Sequence, residues 1–184
     1  MQDFLDKAIE LEALKFGSFK LKSGIESDYF FNIAAFFDSE SLSFLADCYV
    51  LKILDLKIDF DLFFGPAYKG IPLASVVATK YFEATKKNIP LAFDRKEEKS
   101  HGEGGTIMGN LEGKKALLID DVLTAGTAIK NSIEIIENNS GTFVGALVAL
   151  DREELYDSDK TFQEYYAEQG IKIHSIAKIS ELKK

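Results

Sequence analysis

Apolar side chains recur at Phe4, Leu5, Ala8, Ile9 and Leu11, a spacing that gathers them on one face of a helix within residues 2–16. The stretch FGSFKLKSGIESDYFFNIAAFF follows, in which Phe19 and Leu21 alternate with Lys20 and Lys22, the pattern breaks at Ser23-Gly24 and aromatic residues resume; this predicts a hairpin. Ser41 to Leu54 reads as a mostly buried helix, and DLFFG after it as a strand. The chain turns at Pro66, and Pro72 stands where the first turn of a helix, PLASVVATKYFEATKK, begins. IPLAFD is a strand, whereas RKEEKSHGEGGTIMGNLEG carries too much charge and glycine for a periodic element and is expected to be a long loop. KALLID is the next strand. Beyond a loop, Ile129, Ile133 and Ile136 fall at i, i+4 and i+7 of a helix that stops at Gly141, and TFVGALVALD is a further strand. Near the end, IKIHSIAKI is strand-like and is expected to pack with the N-terminal hairpin as a small cap.

Strands that alternate with helices imply a parallel sheet covered on both faces, so the class is α/β. There are no internal repeats, low-complexity segments or evident linkers, and one domain is expected over 1–184. Its core would span about 36–155, with a hood from about 1–35 and 156–184. The composition, 46% apolar and 28% charged, is that of a water-soluble globular protein, and no apolar run approaches the ~20 residues of a membrane span. The opening MQDFLDKAIELEAL places acids within its first apolar face, so no secretory signal is expected and the compartment expected is the cytoplasm. A formal charge of −8 argues against non-specific nucleic-acid binding, which draws on a basic face. The single cysteine, Cys48, lies in an apolar helical pattern and is expected to be a buried, inert thiol. His101 and His174 stand far apart, which gives no zinc spacing, and no serine sits in a Gly-x-Ser-x-Gly elbow.

The chemistry concentrates in KKALLIDDVLTAGTAIK, where four apolar residues, Ala116 to Ile119, run into Asp120 and Asp121 and then a small-residue turn. Ligands of an open parallel sheet sit beyond the carboxyl ends of its strands, so the two acids are expected just past a strand end. Thr124, Ala125, Gly126, Thr127 and Ala128 let backbone N–H groups approach an anion at the next helix's N-terminus, which makes a monophosphate cradle. A capped strand-to-helix turn with two solvated acids is the plain alternative. A ribose 5-phosphate satisfies both halves, its diol donating to the acids and its phosphate resting in the loop. GPAYKG lacks the Gly-Lys-Ser/Thr ending of a P-loop, and GEGGTIMG does not lead from a strand into a helix.

LLIDDVLTAGTAIK resembles the phosphoribosyl pyrophosphate motif of the type I phosphoribosyltransferases. FDRKEEKSHGEGG resembles the catalytic loop of the orotate phosphoribosyltransferase family. FGSFKLKSGIESDYFFN and FGPAYKGIPLA are similar to that family's hairpin and pyrophosphate loop, so the likeness runs from about Phe16 to Arg152. It implies a parallel-sheet core of five strands with a small hood, and transfer of ribose 5-phosphate from phosphoribosyl pyrophosphate to orotate with Mg²⁺. The products would be orotidine 5′-monophosphate and pyrophosphate, a step of pyrimidine biosynthesis. The resemblance puts Asp120, Asp121, Val122, Leu123, Thr124, Ala125, Gly126, Thr127 and Ala128 on the ribose and 5-phosphate, with the acids touching the metal through water, and Tyr68 and Lys69 on the pyrophosphate. It puts Lys22, Arg95, Lys96, Lys99 and His101 on the phosphorylated substrate, and Phe30, Phe31, Thr124 and Arg152 around orotate. Lys99 and His101, with the two acids, are the catalytic candidates, and family lids imply a homodimer with shared sites.

The residues themselves weigh on these assignments. Lys99 and His101 sit among Glu97, Glu98 and Glu103, as in a solvated neutral loop, but Gly102, Gly104 and Gly105 supply the hinge freedom of a closing lid. Lys22 and Lys69 have the ordinary reading of surface lysines; one of Phe30 and Phe31 suits the core and the other a flat pyrimidine. The Arg152 fork suits orotate's carboxylate, against a salt bridge to Glu153 or Glu154. His174 is expected to be structural. Two departures from the family stand out: Asp94 occupies a position where relatives often carry an amide, and the chain stops at Lys184 where bacterial relatives often add a helix. The competing functions are transfer to another base, such as a purine, and a non-catalytic phosphoribosyl pyrophosphate sensor, which should carry a DNA-binding extension or basic face.

Overall fold

The computed structural model describes residues 4–20, 26–99 and 105–182, with only the backbone at 96–99 and 105. Two compact units divide at Leu45/Ala46.

In the first unit, helix α1 (Phe4–Glu10) precedes the antiparallel strands β1 (Leu14–Lys20) and β2 (Glu26–Phe31). A register shift between Phe16 and Phe19 marks a bulge, where Gly17 takes φ +148. Phe4 stacks on Phe36 at 5.7 Å and meets Phe31 edge-on at 6.3 Å, so the helical stripe read from the sequence closes against the strand's inner end.

Helix α2 (Ser39–Leu56) carries the chain across the boundary. The second unit is built on a six-stranded sheet, comprising β3 (Leu62–Gly65), β4 (Leu91–Lys99), β5 (Gly105–Met108), β6 (Lys115–Leu123), β7 (Thr142–Asp151) and β8 (Ile173–Lys178). Its order is β5-β4-β3-β6-β7-β8, with five strands parallel and β5 antiparallel at one edge. The parallel strands are linked through α3 (Gly70–Thr85), α4 (Thr127–Asn138) and α5 (Phe162–Glu168). Side chains alternate across the sheet, so Phe63 meets Tyr81 of α3 at 5.5 Å while Leu62 and Phe64 face Ile129 and Ile136 of α4 and Tyr166 of α5. Helices therefore cover both faces, and the buried strands read as continuous apolar runs for that reason.

Two expectations change, and one helix is added. Residues 173–178, expected to cap the core with the hairpin, instead extend the main sheet as β8, because their alternating buried side chains pair parallel with β7. The stretch expected to be one long loop is partly strand: β4 runs on to Lys99 and pairs with β5 through Phe93↔Met108, Asp94↔Ile107 and Lys99↔Gly105. Helix α5 was not read from the sequence, although Thr161-Phe-Gln-Glu164 is a capping box: the Thr161 hydroxyl accepts from the Glu164 N–H, and the Glu164 carboxylate accepts from the Thr161 N–H at 2.8 Å. Cys48 is buried, as expected.

Candidate active site

Strands β3 and β6 are neighbours, yet the chain leaving β3 passes through α3 to β4 on one side, and the chain leaving β6 passes through α4 to β7 on the other. The two loops diverge and open a crevice at the carboxyl ends of the strands. Pairing of β3 with β6 stops at Phe64↔Leu118, whereas β6 stays paired with β7 as far as Leu123↔Asp151. Asp120 and Asp121 thus lie within β6 and not past its end, contrary to the sequence-based expectation. The longer strand β7 keeps them in extended backbone, and the early end of β3 opens the space beside them.

Both acids are 8% exposed, and they are held differently. Asp121 Oδ2 accepts from the Lys69 ammonium at 2.7 Å, an ion pair that joins the loop after β3 to strand β6 across the crevice. Asp120 Oδ1 accepts from the Asp121 N–H at 2.9 Å, and the Asp120 carbonyl accepts from the Tyr49 hydroxyl of α2 at 2.6 Å. Burial, and then the Asp121 charge, push the Asp120 carboxyl up from 3.8 to about 7; Lys69 opposes the rise but does not cancel it. The Tyr49 phenol is pushed well above its ordinary value by burial and by the two acids, so it stays a neutral donor.

The loop carrying Lys69 is tightly folded. A side chain at Gly65 would meet the Gly70 carbonyl oxygen at 2.4 Å, and one at Gly70 would meet Pro66 Cδ at 2.4 Å and the Ile119 carbonyl oxygen at 2.9 Å. Only glycine at both ends of GPAYKG lets the loop close against β6. The Ala67 N–H donates to Asp94 Oδ1 at 2.7 Å, so Asp94 secures this loop from strand β4. The Ala67–Tyr68 peptide is cis, and the Tyr68 ring is exposed.

After β6, Gly126 caps α4 in the left-handed region at φ +69, with no side-chain cap on the helix's first N–H groups. Ala125, Thr127 and Ala128 are exposed around them, while Gly126 is buried. Uncapped N–H groups, small side chains and two threonines thus meet at one helix N-terminus that follows directly on the strand bearing the acids, an arrangement whose chemistry suits an anion.

The phosphoribosyl transferase domain family matches residues 42–177. Over 183 residues the chain is 47% identical to an orotate phosphoribosyltransferase of Xanthomonas campestris, an alignment covering 97% of this chain and 83% of that relative. The chain belongs to the orotate phosphoribosyltransferase family. An orotate phosphoribosyltransferase of Kluyveromyces lactis is 49% identical over 164 residues, 87% of this chain and 73% of that one. The crystal structure of the Francisella tularensis orotate phosphoribosyltransferase superposes with a TM-score of 0.83 at 34% identity, covering 98% of this chain and 84% of that one. An adenine phosphoribosyltransferase from Thermoanaerobacter pseudethanolicus shares the fold with a TM-score of 0.65 at 15% identity, covering 95% of this chain and 99% of that one.

Among the remaining residues that the orotate phosphoribosyltransferase resemblance implicates, Arg152 is 9% exposed at its side chain and its Nε lies 2.9 Å from Glu154 Oε1, the ion pair that the sequence left open. The Arg152 N–H donates to the Leu123 carbonyl at 3.2 Å, which holds it beside the end of β6. Arg95 lays its Nη2 against Met108 Sδ across the β4–β5 pair. Phe31 is buried against Phe4, whereas Phe30 is 41% exposed and packs on Phe19 at 5.7 Å. Lys22 and His101 lie outside the described residues, as do the side chains of Lys96 and Lys99. His174 lines a cavity of about 670 Å³ at the opposite, amino end of β7 and β8, with Phe143, Val144 and Lys172, away from the acids. Two residues of the site had no place in the sequence reading, and a third was read differently: Tyr49 carries no local signal, Tyr166, beneath Gly126, was signalled only by the capping box of its helix, and Asp94, noted in the sequence as a departure from the family, holds the loop after β3.

Proposed function

We propose that this chain transfers ribose 5-phosphate from phosphoribosyl pyrophosphate to orotate, giving orotidine 5′-monophosphate and pyrophosphate in pyrimidine biosynthesis. The observation that carries the proposal is the pair of buried acids running directly into an uncapped, glycine-bent helix N-terminus at the sheet's switch point. Polyol and phosphate of one ligand fit that pair of sites, and the relatives' identity supports orotate as the base.

In this reading the 5-phosphate rests on the N–H groups and hydroxyls of 124–128, and Asp120 and Asp121 accept from the ribose diol. Lys69 exchanges Asp121 for pyrophosphate oxygens, and Tyr68 lies alongside. Arg152 exchanges the Glu154 carboxylate for that of orotate, a swap of like for like that its planar fork suits. Phe30 is the ring available for stacking. Bond cleavage at the anomeric carbon builds positive charge on the sugar and negative charge on the leaving group, so fixed charges stabilise it without a protein nucleophile. Lys22, Arg95, Lys96, Lys99 and His101 are assigned to that leaving group, with the glycine-flanked lid excluding water.

The two adjacent carboxylates suit Mg²⁺, which is commonly held by one or two acids together with substrate phosphates and water; among the described residues no cluster of three or more metal-ligating side chains forms a cage of protein alone. When bound, Mg²⁺ would neutralise charge on the pyrophosphate oxygens. We further assign the protein to the cytoplasm and to a homodimer in which each lid serves its neighbour. Among the described residues no helix is long and apolar enough to cross a membrane. The test is pyrophosphate release with Mg²⁺ and phosphoribosyl pyrophosphate, comparing orotate with uracil, adenine and hypoxanthine. Release with orotate alone is expected; preference for a purine, or binding without turnover, would replace the proposal by transfer to another base or by a sensor.

A further inference from the structure

Tyr166 of α5 packs beneath the small-residue loop that leads into α4. The Gly126 carbonyl is committed to α4, accepting from the Lys130 N–H at 2.9 Å, but the peptide that joins Ala125 to Gly126 precedes the helix and has no helical bond. Its rotation turns on ψ of Ala125 and φ of Gly126, and glycine takes φ of either sign at little cost. The loop that needs glycine for its shape is therefore also free to flip this peptide. In the flipped form the Ala125 carbonyl oxygen would face the anion in place of an N–H.

Tyr166 stands where it opposes that flip. Its hydroxyl donates to the Ala125 carbonyl at 3.3 Å, a long contact for an O–H donor. Its ring lies so close beneath Gly126 that a side chain there would meet Cε2 at 2.4 Å. The tyrosine is only 5% exposed, packed in the apolar cluster with Ile129, Val148 and Ile173. Its backbone carbonyl accepts from the N–H groups of Gln169 and Ile171, each at 3.0 Å, and the Thr161–Glu164 capping box secures the start of its helix. Because carbonyl and N–H point in opposite directions across a trans peptide, a carbonyl drawn toward buried Tyr166 sends the Gly126 N–H outward, to the side of exposed Ala125 and Thr127.

We propose that Tyr166 is a positioning residue for phosphate binding: it latches the Ala125–Gly126 peptide with its N–H toward the 5-phosphate. This rests on the assignment of 124–128 to that phosphate, and the experiment separates the two. Wild type and Tyr166→Phe, which keeps the ring and the core volume, are labelled with ¹⁵N-glycine and titrated with ribose 5-phosphate, with steady-state kinetics and thermal melting alongside. In wild type the Gly126 amide should shift on titration. In Tyr166→Phe the ribose 5-phosphate Kd and the KM for phosphoribosyl pyrophosphate should rise roughly three- to tenfold, the scale of one lost orienting hydrogen bond. The orotate KM and the melting temperature should stay nearly unchanged. If the wild-type Gly126 amide shifts and the variant binds equally well, the latch is wrong and the loop assignment stands. A lowered melting temperature with both KM values raised in parallel would make Tyr166 merely structural and overturn the latch. If the wild-type Gly126 amide does not respond at saturating ribose 5-phosphate, the loop assignment fails and takes the latch with it.

Discussion

Asp120→Asn should stabilise the ligand-free protein at alkaline pH and do little for it in acid. The carboxyl is buried next to a second acid whose cationic partner, Lys69, is bound to that second acid, and it titrates near 7 where an ordinary aspartate titrates near 3.8. The folded protein therefore holds this proton more tightly than the unfolded chain, and between those two values folding takes up a proton. Stability from this group is greatest below pH 4, falls as pH rises through the window, and is fully lost above 7. A shift from 3.8 to about 7 corresponds to at most roughly 4 kcal/mol at pH 8.5, and to less than about 1 kcal/mol near pH 4. Asparagine keeps the size, carries no charge and retains an oxygen to accept from the Asp121 N–H. Urea unfolding of both proteins across pH 4 to 9, in chelator and without substrate, measures the difference directly. A gain that is small near pH 4, grows as pH rises toward 7 and levels off at about 2–4 kcal/mol above neutrality is expected. A constant difference across the range, or one that is largest in acid, would refute the account of Asp120 as a buried, weakly compensated acid.

Gly65→Ala would drive a methyl to 2.4 Å from the Gly70 carbonyl oxygen and 2.9 Å from Ala74 Cβ, neighbours that cannot simply rotate away, so a loss of about 1–3 kcal/mol is expected by denaturant titration. Arg152→Lys should raise the KM for orotate more than that for phosphoribosyl pyrophosphate, since an ammonium cannot form two parallel bonds to a carboxylate; equal effects on both substrates would remove Arg152 from the base site. Lys99→Ala should lower turnover by on the order of 10² or more with a smaller change in affinity, as when a charge aimed at a developing anion is removed. Mixing that variant with Asp120→Asn plus Asp121→Asn, under conditions where tagged chains prove exchange, should restore activity, and parental activity after exchange would place each lid on its own subunit.

Local patterns determined most of the elements. TFVGALVALD is strand β7 from end to end, and Ile129, Ile133 and Ile136 mark the apolar face of α4, because hydrophobic periodicity records which side of an element meets the core. The acids and the small-residue loop were equally legible, since adjacent carboxylates and a glycine before a helix are contiguous in the chain. Pairing between distant segments is not written in any one of them. That Asp120 and Asp121 belong to β6 depends on β7 outrunning β3, and that residues 173–178 join the main sheet depends on β7 offering a free edge. Charged β4 residues become strand because β5 returns to pair with them. The side chains that orient the site are decided in the same way. Tyr49 and Asp94 arrive at it from 71 and 27 positions away from their partners, and Tyr166 from 41. A hydrogen bond between such residues exists only once the fold has brought them together, so their roles follow from tertiary contact while the loop they serve is spelled out by its own composition.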